Sequence, residues 1–342
     1  MGLDAMIPCR PGGAQEIEGI PRDGRLAPVA EHAALPPNEP GPVVVVGAHV
    51  QGLFMHVDSA PVEGESVMGF GFEEPLDGGK ASNQAVAAAR LGAPTVFVTV
   101  LGNDERAERA LRFFSEVGID TRFCFRMDGP TDVGFVLLPP SKIPAIATAM
   151  ERNRALDAAM VERAAEAIAS ASIVVGALEA PQEAACAAFR FARQAGVRTL
   201  LTPAPAAELD PTLLELTDIL VPNEHEAAVL AGRAGPPADL GEELRERLGV
   251  DAVIVTAGSA GAFVAAGGPA RHLRAERVEP VDTTGAGDAF VGALATRLRV
   301  GEGLEDAAAF AVRAATVSVM RSGTMPAFPT ADEVGAVESR PE

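Results

Sequence analysis

Cysteine is scarce: Cys9, Cys124 and Cys186 are the only three in 342 residues. They are odd in number, far apart and without CxxC spacing, which excludes a disulfide framework and reads as reduced thiols in a cytosolic protein. No apolar run approaches the ~18 residues of a membrane span. Neither a basic-then-apolar signal segment nor a myristoylation motif opens the chain, since Met6 stands where the latter needs Ser or Thr. These absences lead us to expect a soluble, cytoplasmic, globular protein. Basic residues are outnumbered 28 to 47, for a net charge of −19. That balance argues against nucleic acid and against anionic membranes, although a local pocket can still hold a small anion. Lysine is rarer still: Lys80 and Lys142 are the only two, the other 26 basic residues being arginine. A coding bias that also favours Ala, Gly and Pro accounts for this, so a lysine inside a glycine motif stands out.

What is present suits a sizeable core. Hydrophobic residues make up 48% of the chain and mean hydropathy is +0.17. A chain of this length buries roughly three quarters of its unfolded surface.

Residues 1–41 carry Pro, Gly and charge without period, and read as a disordered leader before a folded domain over 42–335. The fold begins at Val43-Val44-Val45-Val46, a β-branched run suited to a strand covered on both faces. The pattern then predicts a helix at 81–91 closed by Gly92, a strand at 95–101 and a helix at 105–117. Two strands, 121–126 and 132–138, are expected around the turn signal Asp128-Gly129-Pro130. From 157 helices and strands alternate: helices 157–170, 182–195, 224–231, 239–248, 286–299 and 304–320, with strands near 173, 198, 218 and 252. Such alternation implies a parallel sheet with helices on both faces. Residues 54–75 and 121–138 fall outside the rhythm and are expected to form a lid.

Two glycine segments carry chemistry. In Asp282-Thr283-Thr284-Gly285-Ala286-Gly287-Asp288, small residues run into a helix and leave successive N–H groups facing an anion. Asp288 reads two ways: a first-turn acid serving the helix dipole, or a base that takes a hydroxyl proton during phosphoryl transfer. In Asp77-Gly78-Gly79-Lys80-Ala81-Ser82-Asn83-Gln84, a glycine turn again opens a helix. Ser82 or Asn83 serves there as an ordinary cap, or Lys80 and Asn83 meet a ligand's oxygens. No GxxxxGK[ST] phosphate loop occurs.

Residues 79–102 and 282–295 resemble both signatures of the PfkB carbohydrate kinase family, and within it the chain from about 43 to 330 is most similar to the ribokinases. The resemblance implies a ribokinase-like three-layer α/β/α fold with a mostly parallel central sheet and a small β lid. It implies ATP-dependent phosphorylation of a sugar hydroxymethyl group, with Asp288 as base and the amides of Gly285, Ala286 and Gly287 as the anion hole. Gly79, Lys80, Asn83 and Glu179 would bind the sugar. Asn223 and the stretch Thr256, Ala257, Gly258, Ser259, Ala260 and Gly261 would bind ATP. Glu226 would reach Mg²⁺ through water, although Asn223 and Glu226 also read as an N-cap and first-turn acid. Asp282 with the carbonyls of Thr284, Ser318, Arg321 and Gly323 would hold a monovalent cation such as K⁺, in a site weakened where Ala327 replaces a serine. A homodimer through the lid is implied as well.

The resemblance breaks after the first strand. Where relatives carry an Asp, and ribokinases an Asn two residues earlier, this chain has Gly52 and Val50. Losing such an acceptor costs roughly 1–3 kcal/mol toward a hydroxyl. Either the acceptor is not ribose, or His49, Gln51 or Asp58 substitutes. A nucleoside kinase and a non-catalytic sugar or nucleotide sensor on the same fold are the alternatives.

Overall fold

The four valines of Val43–Val46 are all buried, and their alternation divides them between two cores. Val43 and Val45 pack on one side of the sheet, Val44 and Val46 on the other, as a strand covered on both faces requires. This computed structural model describes residues 39–75, 78–140 and 145–338. Val43–Val46 lies between the parallel strands Thr95–Leu101 and Ile173–Ala177. Parallel pairing continues through Arg198–Thr202, Ile219–Leu220 and Ala252–Thr256. That edge then turns antiparallel through Ala262–Ala265 and Arg271–Leu273. The helices Lys80–Arg90, Glu105–Glu116, Ala286–Arg299 and Leu304–Ser318 cover one face, Gln182–Gln194 and Pro237–Leu248 the other. The fold is therefore the expected three-layer α/β/α arrangement.

A second sheet of four strands, in the order Gly69–Glu73, Gln51–Val57, Val133–Leu138, Ala145–Ala149, stands apart from the first. It corrects the expected lid in two respects. Cys124–Arg126 pairs in parallel with Thr95–Leu101 in the main sheet, so only the second half of 121–138 belongs to the lid. The turn at Gly129 (φ 105°) thus carries the chain from one sheet to the other rather than closing a hairpin. The strand Ala145–Ala149 was not anticipated. The helix expected over 157–170 divides into Ala158–Glu162 and Ala165–Ala169. Between them Arg163 and Ala164 donate to Met160 and Val161, three residues back, the tighter spacing of a 3₁₀ turn.

Most of the expected leader, residues 1–38, lies outside the described residues, as do Cys9 and Lys142. Its last part does not behave as a leader, because the Arg299 guanidinium donates to the carbonyls of Pro40 and Gly41 at 2.8 and 2.7 Å. Cys124 and Cys186 are free and buried. Among the described residues no helix is long and apolar enough to cross a membrane.

Candidate active site

Parallel strands place their carboxyl ends on one edge of the sheet, and ligands in such folds bind where the strand order reverses. Here that point lies at Val43–Val46, whose neighbours were added to the sheet in opposite directions along the chain. Gly47, Glu179, Thr202, Asn223 and Thr256 all stand at or just beyond strand carboxyl ends. Two helix N-termini converge on the same edge, those of Lys80–Arg90 and Ala286–Arg299.

These two helices meet at unusually short range. A Cβ on Gly292 would lie 2.5 Å from Ala87 Cβ and 2.7 Å from the Gln84 carbonyl, so only glycine admits the crossing. The contact brings the first turns together. Asn83 Nδ2 donates to Asp288 Oδ2 at 2.9 Å, and Gln84 Nε2 donates to Oδ1 at 3.1 Å. Asp288 makes no cap to its own helix, whose N-cap is Gly285 in the left-handed conformation (φ 76°). The carboxylate is thus gripped from a different helix, which a first-turn acid serving only its own dipole does not need. Nor do Ser82 or Asn83 cap theirs. Gly79 holds that position without a side-chain bond, and the Ser82 hydroxyl turns back to the Gly78 carbonyl at 2.6 Å.

A cleft of about 480 Å³ opens beside Asp288. Gly285, Ala286 and Gly287 line one side, Asn223, Thr256 and Gly258 another, and Lys80 enters from the helix opposite. Thr283, Glu224 and His225 also line it and were not singled out from the sequence. Ala257 and Gly261 instead form a tight turn, with Ala257 N donating to the Gly261 carbonyl at 2.8 Å. They shape the wall rather than face the cleft, and Ser259 and Ala260 point outward, exposed.

The electrostatics follow from burial. Asp288, Glu179 and Glu226 are all pushed above the ordinary carboxylate range, chiefly by desolvation. Burial takes Glu179 up to about 7, against the pull of the Lys80 N–H and ammonium. The Lys80 amide donates to Glu179 Oε2 at 2.5 Å. Burial opposes the Lys80 charge, but Asp288, Glu179 and Glu226 together hold its ammonium above the usual lysine range. One cation thus serves three carboxylates. Glu226 and Asn223 form a reciprocal capping box, Asn223 Oδ1 accepting from Glu226 N at 2.8 Å and Glu226 Oε2 from Asn223 N at 2.9 Å. Asp282 joins two loops, its carboxylate accepting from Thr284 N at 2.9 Å and Gly323 N at 3.1 Å.

The arrangement offers a buried carboxylate, a helix N-terminus and a nearby cation, the kinds of group phosphoryl transfer uses. Gln84, with its partner Thr202 at 3.4 Å, is a further residue of the site that sequence reading did not single out. Its place depends on the glycine-mediated helix crossing, which no local pattern reveals.

Comparison with known proteins agrees. The profile described as pfkB family carbohydrate kinase matches residues 43–331. A ribokinase of Staphylococcus aureus is 33% identical, covering 86% of this chain and 99% of that protein. A deoxyribokinase of Salmonella typhi is 31% identical, covering 85% and 96%. The structure of Arabidopsis thaliana ribokinase complexed with ribose and ATP superposes with a TM-score of 0.83 at 28% identity, over 89% of this chain and all of that one. The chain therefore belongs to the pfkB family of carbohydrate kinases, as an ATP-dependent phosphotransferase acting on a sugar alcohol group.

Proposed function

We propose that Asp288 takes the proton of the sugar hydroxymethyl group as it attacks the γ-phosphate of ATP. The observation that carries this is the double amide grip on a buried carboxylate beside the helix start Gly285, Ala286 and Gly287 that lines the cleft. The amides of Gly285, Ala286 and Gly287 stabilise the charge that develops on the transferred phosphoryl group. Gly79, Lys80, Asn83 and Glu179 form the acceptor side; Asn223, Thr256 and Gly258 form the nucleotide side. Among the described residues no group of three or more His, Cys, Asp or Glu side chains is placed to hold a metal. Glu226, buried behind the cleft residue Asn223 and bonded to its N–H through Oε2, would reach through water a Mg²⁺ that arrives largely hydrated with the triphosphate. Asp282 and the carbonyls of Thr284, Arg321 and Gly323 on adjoining loops, with that of Ser318 at the end of its helix, are hard oxygen donors, a set suited to K⁺. The lid exposes Met68, Phe70, Phe72, Phe135 and Ile146, and we extend the proposal to a homodimer through that apolar surface.

The acceptor follows from what the lid side lacks. None of the three side chains that could replace the family carboxylate at position 52 is available. His49 turns into the body, onto Ser82 and edge-on to Phe114 at 5.2 Å. The Gln51 amide donates to the carbonyls of Pro75 and Gly52, and its Oε1, without a partner among the described residues, is closed off from solvent. Asp58 lies past the end of its strand, exposed. Val50 and Gly52 therefore meet the acceptor without a side-chain partner for a hydroxyl, which favours a deoxypentose over ribose. ATP consumption over ribose, deoxyribose and nucleosides, with and without Mg²⁺ and in potassium or sodium salts, tests this. The deoxypentose should exceed ribose in kcat/KM by ~10-fold or more, as one unmatched hydroxyl implies, and Gly52→Asp should narrow the gap. A preference for ribose would overturn the acceptor assignment; no consumption with any sugar would overturn the reaction.

Glu179 supplies a pH test. Its raised pKa leaves it half protonated near neutrality, and only the ionised form accepts two sugar hydroxyls. The acceptor kcat/KM, which reports the free enzyme, should rise as pH passes upward through about 7. In Glu179→Gln the step near 7 should vanish, leaving the ionisation of Asp288 to set the acidic limb. The sign for stability is opposite: the folded state holds this proton more tightly than the unfolded chain. Its contribution is present below the unfolded pKa and lost as pH rises through about 7.

A further inference from the structure

The lid strands join the body at four points, and one buried polar cluster lies beside three of them. Gln51–Val57 starts just after His49, Val133–Leu138 just after Asp132, and Ala145–Ala149 ends shortly before Asn153. His49, Asp132 and Asn153 are each at most 4% exposed. The Asp132 carboxylate accepts from the backbone N–H groups of Glu151, Arg152 and Asn153, each at 2.9 Å, and from Asn153 Nδ2 at 2.7 Å. Asn153 in turn clamps the His49 backbone from both sides, Oδ1 accepting from its N–H at 3.1 Å and Nδ2 donating to its carbonyl at 2.7 Å. The His49 ring completes the path. Its Nδ1 lies 3.1 Å from Ser82 Oγ, whose own proton goes to the Gly78 carbonyl. The hydroxyl has one proton to give, so Nδ1 carries the hydrogen toward it.

The end of this path is the Gly78–Gly79 turn, which leads directly into Lys80 and Asn83. Both glycines have positive φ, 141° and 82°, and an added Cβ on Gly78 would meet the Val50 carbonyl at 2.0 Å. Such a turn has no side chains of its own to hold it, so outside bonds must set its position. We propose that Asp132, Asn153 and His49 are positioning residues: a polar relay that fixes the acceptor-binding turn to the root of the lid. None of the three contacts the reacting groups. The inference rests on the reading of Gly79, Lys80 and Asn83 as the acceptor side.

His49→Phe isolates the last link. Nε2 has no partner among the described residues, so a phenyl ring keeps the packing on Phe114 and loses only the Nδ1 bond. The variant should keep its melting temperature while its acceptor KM rises by about tenfold, the worth of one well-placed hydrogen bond. Its ATP KM should stay within about twofold. Asp132→Asn cuts the relay at the lid end, and the double variant should show less than the summed effect on acceptor KM, since residues in one network couple. Hydrogen exchange of the free enzyme gives a readout independent of any sugar: amides over residues 78–83 should exchange faster in His49→Phe. Unchanged exchange there, equal shifts in both KM values, or fully additive effects would overturn the relay. A wild type that saturates with no sugar would instead count against the acceptor reading, with the exchange result still deciding the relay.

Discussion

Asp288→Asn should lower turnover by the ~10²–10⁴-fold typical of removing a general base, and leave ATP binding equal or tighter. The structure says why the fold should survive. The wild-type carboxylate accepts one amide proton on each oxygen, from Asn83 and from Gln84. Placing an amide there sets one NH₂ group against another. Asn83 Oδ1 and Gln84 Oε1, however, are buried without partners among the described residues, so turning over one of those amides restores a matched pair. Removing a carboxylate whose charge burial disfavours should also leave the melting temperature unchanged or higher. ATP meets one negative charge fewer. A saturating rate and a melting curve therefore separate the two readings of Asp288. Loss of turnover with a stable fold supports the base; near-normal turnover would sink it.

The sequence made the body of the fold legible where local pattern and burial agree. Val43–Val46 is apolar at every position because both faces of its strand are covered. The helix at Lys80 and that at Ala286 announce themselves through the glycines that open them. Asp288 stood out because a second anion in an anion-binding turn needs a chemical reason. The lid was less legible. Ala145–Ala149 is largely exposed and alanine-rich, so neither alternation nor β propensity marks it as a strand. It exists because Val133–Leu138 offers an edge to pair with. Cys124–Arg126 was assigned to the wrong sheet for a related reason: a turn signal tells that the chain bends, not which partner it meets afterwards. Gln84 sits beside Asn83 in the sequence, and adjacent helical positions do not ordinarily share a face. Both reach Asp288 only because Gly292 lets the helices approach so closely. Asn223 and Glu226 were ambiguous between cap and ligand, and the structure shows the capping box plainly. That box also presents Asn223 to the cleft, where the proposed nucleotide contact would use the same residue.

Lys80→Met should produce the second large effect, and its pH dependence distinguishes it from an ordinary loss of packing. Methionine matches the lysine stem in length and keeps the helix start, but the shared cation disappears. Asp288, Glu179 and Glu226 then lose the ammonium that offsets all three and keep only their hydrogen bonds, and their carboxyls should rise further above the usual range. Turnover at pH 7 should fall by ~10²–10³-fold, as for the loss of one preorganised charge-stabilising donor. The acidic limb of the rate profile should move to higher pH, so that part of the lost activity returns as the base ionises. Lys80→Arg keeps the charge but not the shape, and should restore the limb while leaving acceptor KM high. Without acceptor, ATP affinity of Lys80→Met should change by less than about threefold, because the field of the three carboxylates already offsets the ammonium charge. The decisive comparison is turnover at saturating ATP against the ATP dissociation constant. Intact turnover with a large loss of ATP affinity would place Lys80 on the triphosphate alone and remove it from the acceptor side; lost turnover with a shifted limb fixes it as the cation that keeps Asp288 able to accept a proton.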